Sequence, residues 1–256
     1  MAFFEMQYYS TLLERHISIN VIIPDRAKDH PEEKYKTLYL LHGLGDNHAG
    51  WVRQTSIERY AEDFNIAVVM PAVERSWYTD TVGGIPYFSF ICRELTTVVP
   101  NFFRNLSTVR EDVIIGGLSM GGYGAVKAAL TCPETFGSCI ALSASMDIAS
   151  PHRENLLTEW RAIFDRDLES VTHLHGTEHD LYVLARKAYE NGQKFPKMFI
   201  WCGESDDLLD SSVRFHNLLC EFGVPHNFSV SEGNHTWKWW DKHIVSGIHY
   251  ILNSNE

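Results

Sequence analysis

Residues 112–130, DVIIGGLSMGGYGAVKAAL, constrain the fold of this chain more than any other stretch. The β-branched run Val113-Ile114-Ile115 predicts a strand, and the small-residue run from Gly121 to Leu130 predicts a helix that begins almost at once. Between them stands Ser119, with Gly117 and Gly121 two residues to either side in the G-x-S-x-G spacing. A strand that reverses directly into a helix forces its apex residue into a strained conformation and crowds the residues at ±2. Glycine at both positions meets that demand. The hydroxyl is left exposed at the carboxyl edge of a sheet, near a helix N-terminus whose free N–H groups favour negative charge. The same residues also suit a plain glycine-rich turn with a serine N-cap, so the neighbouring chain has to discriminate.

The rest of the chain repeats the alternation of strand and helix. Tyr8 to Pro24 is rich in β-branched and aromatic residues, which predicts an antiparallel, half-exposed strand pair at a sheet edge. Thr37–Leu41 and Ile66–Met70 are continuous apolar runs, as strands buried on both faces are. Trp51 to Phe64 reads as one helix. Tyr87 to Phe103 reads as mostly helical, with Pro100 at its end or at a kink. Further strands are expected at Cys139–Ser143, Lys197–Cys202 and Asn227–Val230, and helices over Ser211–Phe222 and Trp237–Leu252.

Between residues 146 and 196 the alternation lapses into two helical patterns without a good strand. Thr177 and Asp180 read as a capping pair for the second, and Asn191-Gly192 as its end. This stretch is expected to form a helical insertion over the carboxyl edge of the sheet. The fold class that follows is α/β, a single domain over residues 1–256 with a mostly parallel sheet covered on both faces.

Composition narrows the partners. A formal net charge of −11 opposes both nucleic acid and anionic membranes, and no apolar stretch is long enough to span a bilayer. Cys92, Cys132, Cys139, Cys202 and Cys220 are an odd set with no C-x-x-C pair, as expected of free thiols in a reducing compartment. The start MAFFEMQYYS has no basic n-region, so no signal peptide is read and a cytoplasmic location is expected. The oligomeric state, a homo-oligomer included, is left open.

A serine hydroxyl is a poor nucleophile until a base takes its proton, and that base needs a third group to orient it. The α/β-hydrolase fold supplies these in the order Ser, Asp or Glu, His. Here Ser119 is followed by Gly203-Glu204-Ser205-Asp206-Asp207 and then by Glu232-Gly233-Asn234-His235, each just after an expected strand. His235 is the expected base, and Asp206 or Asp207 the expected acid. Acyl transfer also needs N–H groups fixed around the developing oxyanion. Met120, after the nucleophile, offers one; the H-G loop His42-Gly43-Leu44 offers the other, from Leu44.

His173, His175 and His179 have no companion Cys or carboxylate ligands at typical spacing. They read as a solvated loop, and neither metal nor cofactor is expected. Trp240 reads as packing for the last helix, and Trp237 as a residue bordering the site.

LLHGLGDNHAGW, GLSMGGYGAVKAAL, WCGESDDLL and EGNHTWKWWD together resemble the esterase D / tributyrin esterase branch of the α/β hydrolases. That branch includes S-formylglutathione hydrolases, short-chain acetyl esterases, feruloyl esterase-like enzymes and mycolyltransferases. The resemblance covers nearly the whole chain. It implies an α/β-hydrolase fold and a cofactor-independent serine carboxylesterase for small-molecule esters of acetyl to butyryl type. A thioester such as S-formylglutathione, or an acylated carbohydrate, is the alternative substrate. By motif it implies Ser119 as nucleophile, Asp206 as acid, His235 as base, and Leu44 and Met120 as oxyanion donors. Asp207 departs from the pattern, standing where the family tends to be apolar.

Overall fold

The computed structural model describes residues 1–253. Its strands are β1 (Ala2–Ser10), β2 (Arg15–Ile23), β3 (Thr37–Leu41), β4 (Ala67–Pro71), β5 (Val113–Leu118), β6 (Ser138–Leu142), β7 (Lys197–Gly203) and β8 (His226–Ser231). They form one sheet in the order β1-β2-β4-β3-β5-β6-β7-β8. The pairings of β2 with β1 and β4 are antiparallel; the remaining pairings are parallel.

The helices are α1 (Gly50–Gln54), α2 (Ile57–Asp63), α3 (Tyr87–Ser89), α4 (Thr96–Phe102), α5 (Met120–Thr131), α6 (Leu157–Ile163), α7 (Leu181–Glu190), α8 (Leu209–Glu221) and α9 (Trp237–Leu252). They cover both faces, which is why every residue of β3, β4, β5 and β6 is buried. Side chains of β5 alternate between the two cores. Ile115 joins the core that includes α5, α7 and α8, whereas Ile114 and Leu118 join the one formed with α1, α2 and α9. This is the α/β-hydrolase arrangement.

Three elements differ from the sequence reading. The antiparallel pair starts at Ala2 rather than Tyr8, and β2 is buried throughout Ile19–Ile23, since it lies between β1 and β4. Within that pair only β1 is largely exposed. The helix expected over Trp51–Phe64 is broken in two at Thr55. Its hydroxyl donates to the Trp51 carbonyl at 2.5 Å and accepts from the Ile57 amide at 3.2 Å, so the side chain competes with the helical ladder. Pro100 lies inside α4 and does not end it; wider π-type turns over Phe90–Leu95 precede that helix.

Register decides where the loops meet. Leu118 pairs with Leu142, Leu142 with Trp201, and Gly203 with Ser231. The carboxyl ends of β5, β6, β7 and β8 therefore finish close together, and the loops carrying Ser119, Asp206 and His235 emerge along one edge. The segment after β6 begins on that edge, and α7 then packs against α5 and α8 as the crossover that a parallel β6–β7 connection needs.

Candidate active site

Ser119 sits at the junction of β5 and α5 with φ 53° and ψ −116°. A backbone of this kind costs about 1–3 kcal/mol and persists only where its surroundings fix it. The Ser119 amide donates to the Leu142 carbonyl at 3.0 Å, and its own carbonyl accepts from the amides of Tyr123 at 3.0 Å and Ser145 at 3.2 Å. A Cβ at Gly117 would lie 2.5 Å from the Gly121 carbonyl carbon, and one at Gly121 would lie 2.5 Å from the Leu41 oxygen. Both glycines are therefore required by the close approach of α5 to the end of β3. Ser119 occupies the N-cap position of α5, yet its side chain caps nothing. Its Oγ lies 3.1 Å from His235 Nε2 instead, which separates this turn from a plain capped one.

His235, in the loop between β8 and α9, turns its Nδ1 to Asp206, 3.0 Å from Oδ2 and 3.2 Å from Oδ1. The Asp206 side chain is 0% exposed, and its Oδ1 also accepts from the Leu208 amide at 3.0 Å. Burial pushes the Asp206 carboxyl up. The hydrogen bond and charge of His235, the Leu208 amide and Ser143 together outweigh it and hold the group below its ordinary range. Asp207 is exposed. It faces solvent, and no side chain caps α8. Of the two aspartates, only Asp206 reaches the imidazole.

The loop after β3 is fixed from below by His42, which is 1% exposed. Its Nδ1–H donates to the Gly43 carbonyl at 2.8 Å, and its Nε2 accepts from the Val73 amide at 3.1 Å. The Tyr78 hydroxyl donates to the His42 carbonyl at 2.9 Å. An ideal Cβ at Gly43 would stand 3.8 Å from Ser119 Cβ, so this loop runs directly beside the serine. Leu44 lies on that loop, and Met120 opens α5, where the first backbone N–H groups of a helix lack partners within it.

The His42 pair of bonds requires a neutral ring, since a proton on Nε2 would face the Val73 N–H. Burial drives its pKa down to about 4, against the opposing pull of the Gly43 carbonyl. Burial similarly takes His179 to about 3. An unfolded imidazole binds its proton at about 6.5. As pH falls from about 6.5 to about 4, the unfolded chain gains protons that the folded chain refuses, so stability falls through that window. For His42 alone the loss is on the order of 3 kcal/mol. Urea midpoints are expected to drop steadily between about pH 7 and about pH 4. A constant midpoint would contradict the neutral, buried His42.

The chain matches the family described as "Putative esterase" over residues 10–251. It belongs to that family. An acetyl esterase of Caldicellulosiruptor saccharolyticus is 31% identical over 266 residues, covering 98% of each chain. Among solved structures, the fluorophosphonate-binding serine hydrolase FphF of Staphylococcus aureus is 35% identical, with 99% of both chains covered and a TM-score of 0.89. The S-formylglutathione hydrolase FrmB of the same organism is 34% identical, with a TM-score of 0.87 and 98% of this chain and 99% of that one covered. The chain is an ester hydrolase with the α/β-hydrolase fold. Among the described residues, no helix is long and apolar enough to cross a membrane.

Several residues that shape the site of this esterase carry no motif. Tyr78, which ties down the His42 carbonyl, has φ 47° in a turn that also holds Trp77 at φ 51°. Its ring packs so closely on Gly124 that any side chain there would collide with it. The small residues of α5 were a signal that something packs tightly, without saying what. Ser145 reaches Ser119 through its amide, and its hydroxyl accepts from Arg153 at 3.0 Å. The Arg153 guanidinium lies over the Trp77 ring, 5.5 Å from its centroid.

Trp240, read as packing, stands edge-on to the His235 ring at 4.9 Å and donates its Nε1–H to Ser143 Oγ at 3.0 Å. Trp237 packs between Trp51 and Trp240. The three clustered histidines also differ in part from the solvated-loop reading. His173 and His175 are exposed, but the His179 ring packs on Phe164 at 5.0 Å, with its Nδ1 3.4 Å from Lys127 Nζ. In the capping pair, Asp180 alone is the N-cap of α7, accepting from the Tyr182 amide, while the Thr177 hydroxyl donates to the Leu174 carbonyl.

Proposed function

We propose that this esterase is a serine carboxylesterase for short-chain acyl esters, with Ser119, His235 and Asp206 as its triad. The observation that carries the reading is the continuous chain of contacts from Ser119 Oγ to His235 at 3.1 Å and on to Asp206 at 3.0 Å. His235 Nε2 takes the Ser119 proton as Oγ attacks the ester carbonyl. The oxyanion forms between the Leu44 and Met120 amides, each such donor being worth about 10²–10³ in kcat. Collapse expels the alcohol, which takes the proton back from His235. A water then attacks the acyl-enzyme by the same route in reverse, releasing the acid and restoring Ser119. Asp206 stays ionised throughout and holds the imidazole with Nδ1–H towards it, leaving Nε2 free to accept.

The 31% identical acetyl esterase supports a short acyl group. So does the segment after β6, where the Ser145 amide bonds the Ser119 carbonyl and the Ser145 hydroxyl accepts from the half-buried Arg153, which sets polar groups beside the elbow. Each methylene that fits should add about 0.8 kcal/mol, so efficiency is expected to climb from acetyl and to collapse once the pocket is full. A p-nitrophenyl ester series measures this. A best substrate of decanoyl or longer would contradict it. The 34% identical S-formylglutathione hydrolase supports a second reading, in which the leaving group is a thiol. Comparing kcat/KM for S-formylglutathione with that for the best oxyester decides between them. A cytoplasmic location and a small-molecule partner, with neither nucleic acid nor membrane, complete the reading. They are supported by the free cysteines and the net charge of −11.

A further inference from the structure

At the opposite edge of the sheet from Ser119, three side chains with metal-binding atoms converge. His216 and Cys220 stand four residues apart on one face of α8, and His226 opens β8. One ligand atom from each lies within 4.8 Å of the others. His216 Nδ1 is 2.7 Å from His226 Nε2, and Cys220 Sγ is 3.7 Å from either ring nitrogen of His216. With about 3.3 Å of rise per residue along β8, His226 stands well over 10 Å from the loop that carries His235.

The two rings are held in place by other groups. His226 Nδ1–H donates to the Val224 carbonyl at 2.8 Å, which fixes the tautomer and leaves a lone pair on Nε2. Metal-bound histidines almost always donate their other ring N–H to a carboxylate, a backbone carbonyl or water, and the Val224 carbonyl is such a partner. His216 stacks on Phe228, with centroids 4.5 Å apart and planes at 18°. Both rings are half-buried, while Cys220 is exposed, so an ion could enter from solvent past the thiol.

We propose that His216, Cys220 and His226 form a binding site for a divalent transition-metal ion of borderline softness, Zn²⁺ foremost. The site goes beyond the sequence reading, which expects no metal, and is independent of the ester chemistry. Two imidazoles and a thiolate supply three of the four tetrahedral positions that Zn²⁺ prefers, and the exposed side leaves the fourth to water. Without metal, His216 Nδ1–H donates to His226 Nε2. For both nitrogens to bind the ion, His216 shifts its proton to Nε2, so neither ring changes charge. The nitrogens then move apart from 2.7 Å to the wider separation of two ligands on one ion. Cys220 loses its thiol proton to solvent as the sulfur–metal bond forms, and this is the one proton released.

Equilibrium dialysis of the full, untagged chain against Zn²⁺, with Co²⁺ as a spectroscopic substitute, tests the site. The expected result is one bound equivalent and a thiolate-to-cobalt charge-transfer absorption. His216→Ala, Cys220→Ser and His226→Ala should each weaken binding by at least about tenfold, the floor set by loss of a mere supporting partner. Cys220→Ser should also lose the charge-transfer band. Circular dichroism and ester turnover should match wild type in all three variants, since none approaches Ser119. Failure of the wild-type chain to bind an equivalent of Zn²⁺ overturns the proposal. So does a cobalt complex without the thiolate band, or binding that survives all three substitutions.

Discussion

Ser119→Ala is expected to lower kcat on a short-chain ester by on the order of 10⁶ while the fold remains intact. The size follows from removing the attacking atom, after which only the oxyanion donors and substrate binding still act. The fold should persist because the strained backbone is held by three main-chain hydrogen bonds, none involving Oγ. Alanine also keeps a Cβ, so the positive φ of 53° costs it much what it costs serine. Steady-state kinetics with circular dichroism on the purified variant reads both outcomes. Wild-type turnover by the folded variant would contradict the nucleophile assignment.

Asp206→Asn is expected to lower kcat by about 10⁴, the loss known for the same change in a serine protease. The shape would survive, since an amide oxygen can still accept from the Leu208 amide. An amide N–H turned towards His235, however, favours the tautomer whose proton sits on Nε2, facing Ser119. The imidazole is then unable to take the serine proton. Asp207→Asn is expected to change kcat little, since Asp207 is exposed and does not reach His235. If the Asp207 variant proves the crippled one, the geometry described for Asp206 is not that of the working enzyme. Retention of most activity by both would mean that no single carboxylate orients the base.

Much of this site was legible because the elbow has to be. A strand-to-helix reversal with Gly117 and Gly121 flanking Ser119 has few sequence solutions, and the order Ser, Asp, His follows from which strand ends share an edge. The choice between Asp206 and Asp207 was less legible, because spacing along a loop does not say which side chain points inward. The structure decides that by burying one and exposing the other. Contacts between distant segments were not legible at all. Tyr78 on the His42 carbonyl, the Val73 amide on the His42 ring, and Trp240 against His235 leave no periodic trace, since each joins separate stretches of chain. The break at Thr55 was missed for a local reason, because the apolar period runs on through it while one hydroxyl redirects the backbone.

The central claim is that Ser119 is a nucleophile activated by His235, and covalent labelling by a fluorophosphonate, followed by peptide mass spectrometry, tests it most directly. Serine attacks the phosphorus only when its proton can be taken, and fluoride leaves. The predicted result is one adduct on the peptide bearing Ser119, absent from Ser119→Ala and formed far more slowly in Asp206→Asn. An adduct on a different serine, or none on folded chain that still hydrolyses esters, would contradict it.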